Sequence, residues 1–127
     1  MSGAYNLKEL GPLFYPALDQ TFHGGHTDEA ALDEASPSTY VRAGEELPLF
    51  YILHCQFDLA SLPEQAISFR NKLELGGHPV EWDYLLDYTH ESEMTALAES
   101  DEKVAQAIVR YIKTHIRRPI FLPLVLK

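Results

Sequence analysis

The chain has 127 residues, 46% hydrophobic and 23% charged, the composition of one globular domain rather than a disordered or fibrous segment. Ten basic residues against nineteen acidic ones give a formal net charge of −9, so polyphosphate and anionic membrane surfaces meet repulsion over most of the molecule, and nucleic acid and membrane are not expected partners. The single cysteine, Cys55, excludes an internal disulfide and any Cys-x-x-Cys metal site.

Met1–Leu10 lacks the apolar core of a signal peptide, and no run reaches the length of a membrane span, so a cytoplasmic location is the expectation. The same stretch reads as a loop entering a short helix, broken by Pro12 and Pro16. Thr21–Thr27 (TFHGGHT) reads as a loop, with Thr27 as N-cap of an acidic helix over Asp28–Glu34. Ser36-Pro37 ends that helix, because the residue before proline avoids the helical region.

Leu47–Leu53 (LPLFYIL) is the clearest strand, apolar on both alternating faces as in a parallel sheet covered on two sides. Ser61 is expected to cap a helix with Pro63 in its first turn and Ala66, Phe69 and Leu73 on its buried face, stopped by Gly76-Gly77. Pro79–Leu86 reads as a second strand, with Val80, Trp82 and Tyr84 on one face and Glu81 and Asp83 on the other. Glu91–Glu99 is a short helical pattern. A longer helix, Asp101–His115, follows the cap Ser100 and carries its stripe on Val104, Ile108, Tyr111, Ile112 and His115 or Ile116.

Helix, strand, helix, strand, helix is the order of a right-handed βαβ crossover, so the fold class is α/β with a parallel sheet flanked by helices. Functional groups of such sheets gather beyond the carboxyl ends of the strands. Asp58 follows the first strand and His90 the second, 32 residues on, a separation that allows the carboxylate to meet the imidazole at one sheet edge.

That arrangement resembles the C-terminal half of an α/β-hydrolase of the esterase/lipase and kynurenine-formamidase-like group. Ser2–Leu7 resembles the family's "SGxYDL" segment, and Ala35-Ser36-Pro37 the "ASP" before the acid-bearing strand. Pro48–Asp58 (PLFYILHCQFD) resembles "P-strand-HGxxD". Leu62–Gly77 matches "vpxxQsxxfxxxLxxxG", with Gln65, Phe69 and Leu73 in place, and Tyr88-Thr89-His90 resembles "gxxH". The matching pieces cover residues 2–116, leaving 117–127 as an apolar tail broken by two prolines. The resemblance implies a βαβα half-domain with Asp58 and His90 as the acid and base of a catalytic triad, acting on an ester or amide with neither cofactor nor metal.

The chain departs from the family pattern. No serine has glycine two positions away on both sides, so the G-x-S-x-G nucleophile is absent from it, and the oxyanion loop has no counterpart in its proper place. Cys55 stands where the family has glycine, and Asn6 where it has aspartate. The implied partner is a complementary N-terminal half or a second copy of the chain. The alternatives are a non-catalytic, oligomerising derivative of the fold and a serine-free enzyme or binder using Asp58 and His90.

Other residues have plainer readings. His23, His26 and Asp28 are two histidines and an acid that read as a solvent loop before a metal site, and His23-Gly24-Gly25-His26 lies on the wrong side of the fold order for an oxyanion loop. Cys55 reads as a small buried hydrophobe before a displaced nucleophile. Trp82 and Tyr84 are expected under a helix rather than lining a pocket, and Glu91 and Glu93 are first-turn acids. The tail reads as a sheet-edge or dimer contact.

Overall fold

The computed structural model describes residues 3–98 and 103–115. It is a mixed α/β structure whose sheet, among these residues, is a parallel pair of strands joined by a helix. Two short helices come first, α1 (Tyr15–Thr21) and α2 (Glu29–Ala35). The short helix expected after the N-terminal loop is a 3-10 turn over Leu7–Glu9 that ends before Pro12, and Pro16 lies in the first turn of a new helix, α1, where its missing N–H needs no intrahelical partner. The cap of α2 is Asp28, one residue after the expected Thr27, and its carboxylate accepts from the Ala31 N–H at 3.1 Å. Ser36 closes α2 as expected.

Strand β1 is Phe50–Phe57, helix α3 Leu62–Leu75 and strand β2 Val80–Thr89. β1 begins three residues later than the apolar run predicts. Pro48 within that run has no N–H to give a ladder, and pairing starts where Phe50 meets Val80. At Ser61, before α3, the backbone is left-handed (φ 70°) and the side chain makes no capping bond, so that expectation fails, while Pro63 does occupy the first turn. β2 is followed directly by α4 (His90–Ala96), and α5 spans Lys103–His115. Among the described residues no helix is long and apolar enough to cross a membrane.

The strand register is regular from Phe50↔Val80 to Cys55↔Leu85, a constant offset of 30, and resumes at Phe57↔Thr89, an offset of 32. Two extra residues therefore sit in β2 between Leu85 and Thr89. Asp87, inside that bulge, has φ 66°, a conformation that aspartate tolerates better than most side chains. Its N–H donates to Gln56 Oε1 at 3.1 Å, tying the bulge to the neighbouring strand.

Among the described residues, two apolar clusters hold this part together. Ala66, Phe69 and Leu73 of α3 pack with Val41 and Ile52, as the helical spacing predicts, and Tyr5 stacks on Phe69 at 4.4 Å. Leu10, Leu18, Leu32 and Leu62 form the second, joining α1 and α2 to the start of α3. Polar bonds stitch the N-terminal segment to both. Gln65 Oε1 accepts from the N–H groups of Tyr5 and Asn6, both at 2.8 Å. Ser36 Oγ accepts from the Leu7 N–H and donates to the Leu32 carbonyl. These bonds satisfy backbone groups that a segment outside regular structure leaves without partners.

The chain divides into two compact units, Met1–Glu93 and Met94–Lys127. In the second, Val104 of α5 is buried, Ile108 and Tyr111 are half-buried, and Ile112 is 45% exposed. Ile112 lies about 80° around the helix from Val104, at the rim of the apolar stripe rather than its centre. Ser100 and the tail 117–127 lie outside the described residues.

Candidate active site

Parallel strands send the same ends to the same edge. Asp58 is the first residue after β1 and His90 the first after β2, and their side chains meet there, with His90 Nδ1 2.9 Å from Asp58 Oδ1. The offset between them is 32, the offset of the register after the bulge, so the two extra residues of β2 bring His90 level with Asp58. Backbone at this corner is pinned reciprocally: the Thr89 N–H donates to Ser92 Oγ at 2.8 Å and the Ser92 N–H to Thr89 Oγ1 at 3.1 Å. That is the hydrogen-bonding logic of a capped helix N-terminus.

The two groups differ in exposure. The Asp58 side chain is 0% exposed, whereas that of His90 is 32% exposed. Asp58 Oδ1 also accepts from the Leu59 N–H at 2.8 Å. An ionised carboxylate only accepts, so it holds the proton of a neutral His90 on Nδ1 and leaves Nε2 as the basic nitrogen. A buried acid orienting a partly exposed imidazole in this way is half of the machinery of base-assisted acyl transfer.

Glu93 belongs to the same place, although its sequence position suggested only a first-turn acid. It is 1% exposed, and a carboxylate oxygen of Glu93, one of Asp58 and Cys55 Sγ all lie within 4.8 Å of one another. Its signal was spacing: three residues after His90 on a helix puts both on adjoining faces. Glu91, a first-turn acid as expected, is exposed. A thiolate and two carboxylates are donor types found around zinc, but here Asp58 Oδ1 already serves His90 and Leu59. Cys55 is 0% exposed, and with two carboxylates at hand it lacks the open, electropositive setting of a reactive thiolate.

Tyr5 reports the field of this cluster. Burial, and then the negative charges of Glu93 and Asp58, push its phenol up to about 12. Its folded value thus lies above the ordinary 10. The stability this contributes is fully present below pH 10 and is lost as pH rises from 10 to about 12. In an absorbance titration of the seven tyrosines, Tyr5 is expected to ionise late. Tyr5→Phe is expected to remove that late step and to flatten the alkaline loss of stability. Ionisation of every tyrosine near pH 10 in the folded chain would contradict the burial of Tyr5 beside the two acids.

His54 stands on the opposite side of β1 from Cys55, by strand alternation. It is 6% exposed, and burial holds its imidazole below the ordinary histidine range; Arg70 adds to this, while Asp58 and Glu93 oppose it. Its ring lies 5.9 Å from Trp82 and 5.1 Å from Tyr84. Trp82 and Tyr84 were expected under a helix but are 44% and 45% exposed. Helix α3 packs its Ala66, Phe69 and Leu73 side over Ile52 and Val80 and leaves these two rings at the edge of a groove.

The histidine-glycine segment is a structural turn. His26 Nδ1 and N–H both lie 2.8 Å from Asp19 Oδ1, and the His26 ring stacks on Tyr15 at 4.0 Å. Its carboxylate partner is thus Asp19, while Asp28 caps α2. Gly25 has φ 59°, and a Cβ there would sit 2.1 Å from Asp19 Oδ1, so this corner requires glycine.

Comparison with protein-family models, curated proteins and solved structures gives no match.

Proposed function

We propose that this chain supplies the acid and base of a serine-hydrolase-type acyl transfer, acting on a small ester or amide together with a complementary N-terminal half that brings the nucleophile and oxyanion donors. The carrying observation is the 2.9 Å contact between a wholly buried Asp58 and a partly exposed His90 at the carboxyl ends of adjacent parallel strands. A second observation supports the hydrolase-like reading. The segments that resemble the family, around Asn6, Ser36 and Gln65, are hydrogen-bonded to one another. In this reading Asp58 orients and charge-balances His90. His90 takes the nucleophile's proton and returns it to the leaving group.

Hydrolysis of p-nitrophenyl acetate and labelling by a fluorophosphonate test the reading, on the chain alone and with a G-x-S-x-G-bearing half encoded beside it. The lone chain is expected to resist the label, because it offers no activated serine. The pair is expected to take the label on the added half and to turn over ester, with turnover lost in His90→Gln. Turnover that survives His90→Gln, or no turnover by the pair, would remove the proposal.

The second reading is a non-catalytic, self-associating derivative of the fold, localised with soluble partners in the cytoplasm. One feature favours it: among the described residues β1 pairs only with β2 although its central residues Ile52–Cys55 are no more than 6% exposed. A strand so deeply placed usually has a neighbour on each side. Gel filtration of the lone chain separates the readings, a stable dimer without ester turnover favouring the second.

A further inference from the structure

On the α3 side of the sheet lies an open groove of about 390 Å³, within the size range of small-molecule sites. Its floor is aromatic: His54, Trp82 and Tyr84 come from adjacent strands and keep their rings within 6 Å of one another in two pairs. Its wall is α3, through Pro63, Ile67 and Arg70. Nineteen acidic residues are spread through the chain, yet none lines this groove, and its one fixed charge is the Arg70 guanidinium.

Arg70 is held in place and retains donors to give. Its guanidinium lies 4.5 Å over the Trp82 ring, which fixes its plane. Among the described residues its one hydrogen bond runs from Nη2 to Asn71 Oδ1 at 3.0 Å. The nearest carboxylate oxygen, on the half-exposed Glu74, stands at 3.7 Å, outside hydrogen-bonding range. His54, 6% exposed, lines the groove with its ring; its Nδ1 has no hydrogen-bond partner among the described residues, but that atom is enclosed and out of a ligand's reach.

We infer that this groove binds a small aromatic acid, its flat ring against Tyr84 and His54 and its carboxylate on the Arg70 guanidinium. The ring faces select a planar apolar body and the lone cation selects an anion. A guanidinium pre-set by stacking loses little freedom when it takes up a carboxylate. Binding here needs no catalysis by Asp58 and His90 and is tested on its own.

Trp82 is the one tryptophan of the chain, so its fluorescence reads the groove directly. The probe is 3-phenylpropionate, titrated into the full chain, with 3-phenylpropylamine and 3-cyclohexylpropionate as partners matched in size. The expected result is a saturable one-to-one change with 3-phenylpropionate, with affinity about tenfold weaker or more for the amine and for Arg70→Met, as loss of a charged hydrogen bond implies. The cyclohexyl acid is also expected to bind more weakly. No saturable change, equal affinity for acid and amine, equal affinity for the phenyl and cyclohexyl acids, or undiminished affinity in a folded Arg70→Met would each overturn the assignment. If Arg70→Met does not fold, the comparisons among ligands on the unaltered chain still decide.

Discussion

Asp58→Asn is expected, on the proposed acyl-transfer reading, to lower kcat of the chain with its complementary half by about 10⁴-fold, while leaving the melting transition of the chain close to that of the parent. The size of the effect follows from where the charge sits. Asp58 is 0% exposed at its side chain, so no water takes over when the carboxylate is replaced by an amide of the same shape. A carboxylate next to Nδ1 does two things: it keeps the neutral proton on that nitrogen, and it balances the imidazolium formed when Nε2 accepts a proton. An amide of either orientation lacks the second ability, and in one orientation it offers N–H to Nδ1 and selects the wrong tautomer. Substrate contacts do not pass through Asp58, so KM is expected to change little, and the loss falls on kcat. The measurement is steady-state hydrolysis of p-nitrophenyl butyrate by the chain with its complementary half, alongside thermal unfolding followed by circular dichroism. A fall in kcat below tenfold with an unchanged fold would mean that His90 does not act as the base.

The contact on which that expectation rests was legible before the structure, and the reason is topological. An apolar strand and an alternating one joined by a helix make a parallel pair, parallel strands deliver their following residues to one edge, and Asp58 and His90 are those residues. The α3 core was legible for the same kind of reason: Ala66, Phe69 and Leu73 recur at helical spacing. What stayed hidden depends on contacts between segments distant in sequence. Strand β1 starts at Phe50 rather than Leu47 because pairing with Val80 sets its start. Glu93 reads as a first-turn acid, which it is, but its burial beside Asp58 and Cys55 is set by the packing of α4. Trp82 and Tyr84 read as core by alternation, and their exposure follows from the face that α3 covers and the part it leaves open. The bulge had only one cue, an aspartate at position 87 where a left-handed residue is needed, and aspartate is too common for that cue to be read alone.

That bulge makes the second large effect. Asp87→Val is expected to lower ester turnover by about 10²-fold or more, whereas Asp87→Gly is expected to keep it. A β-branched side chain is disfavoured at the φ of 66° that Asp87 adopts, and glycine takes that conformation freely. Driven toward extended backbone, the segment after Leu85 would continue in its earlier register with an offset of 30, which sets Tyr88 rather than His90 level with Asp58. His90 would then lie two residues further along, about 7 Å at the rise of a strand, well beyond reach of the carboxylate. The Gln56 side chain, which accepts the Asp87 N–H at 3.1 Å, would lose its partner in the same movement. The low-field proton resonance of a histidine N–H bound to a carboxylate gives the structural readout, and turnover gives the functional one. Both are expected to disappear together in Asp87→Val and to persist in Asp87→Gly. Loss of turnover with the resonance retained would place the damage elsewhere, and full turnover in a folded Asp87→Val would show that the register shift, though present, is not what aligns the acid with the base.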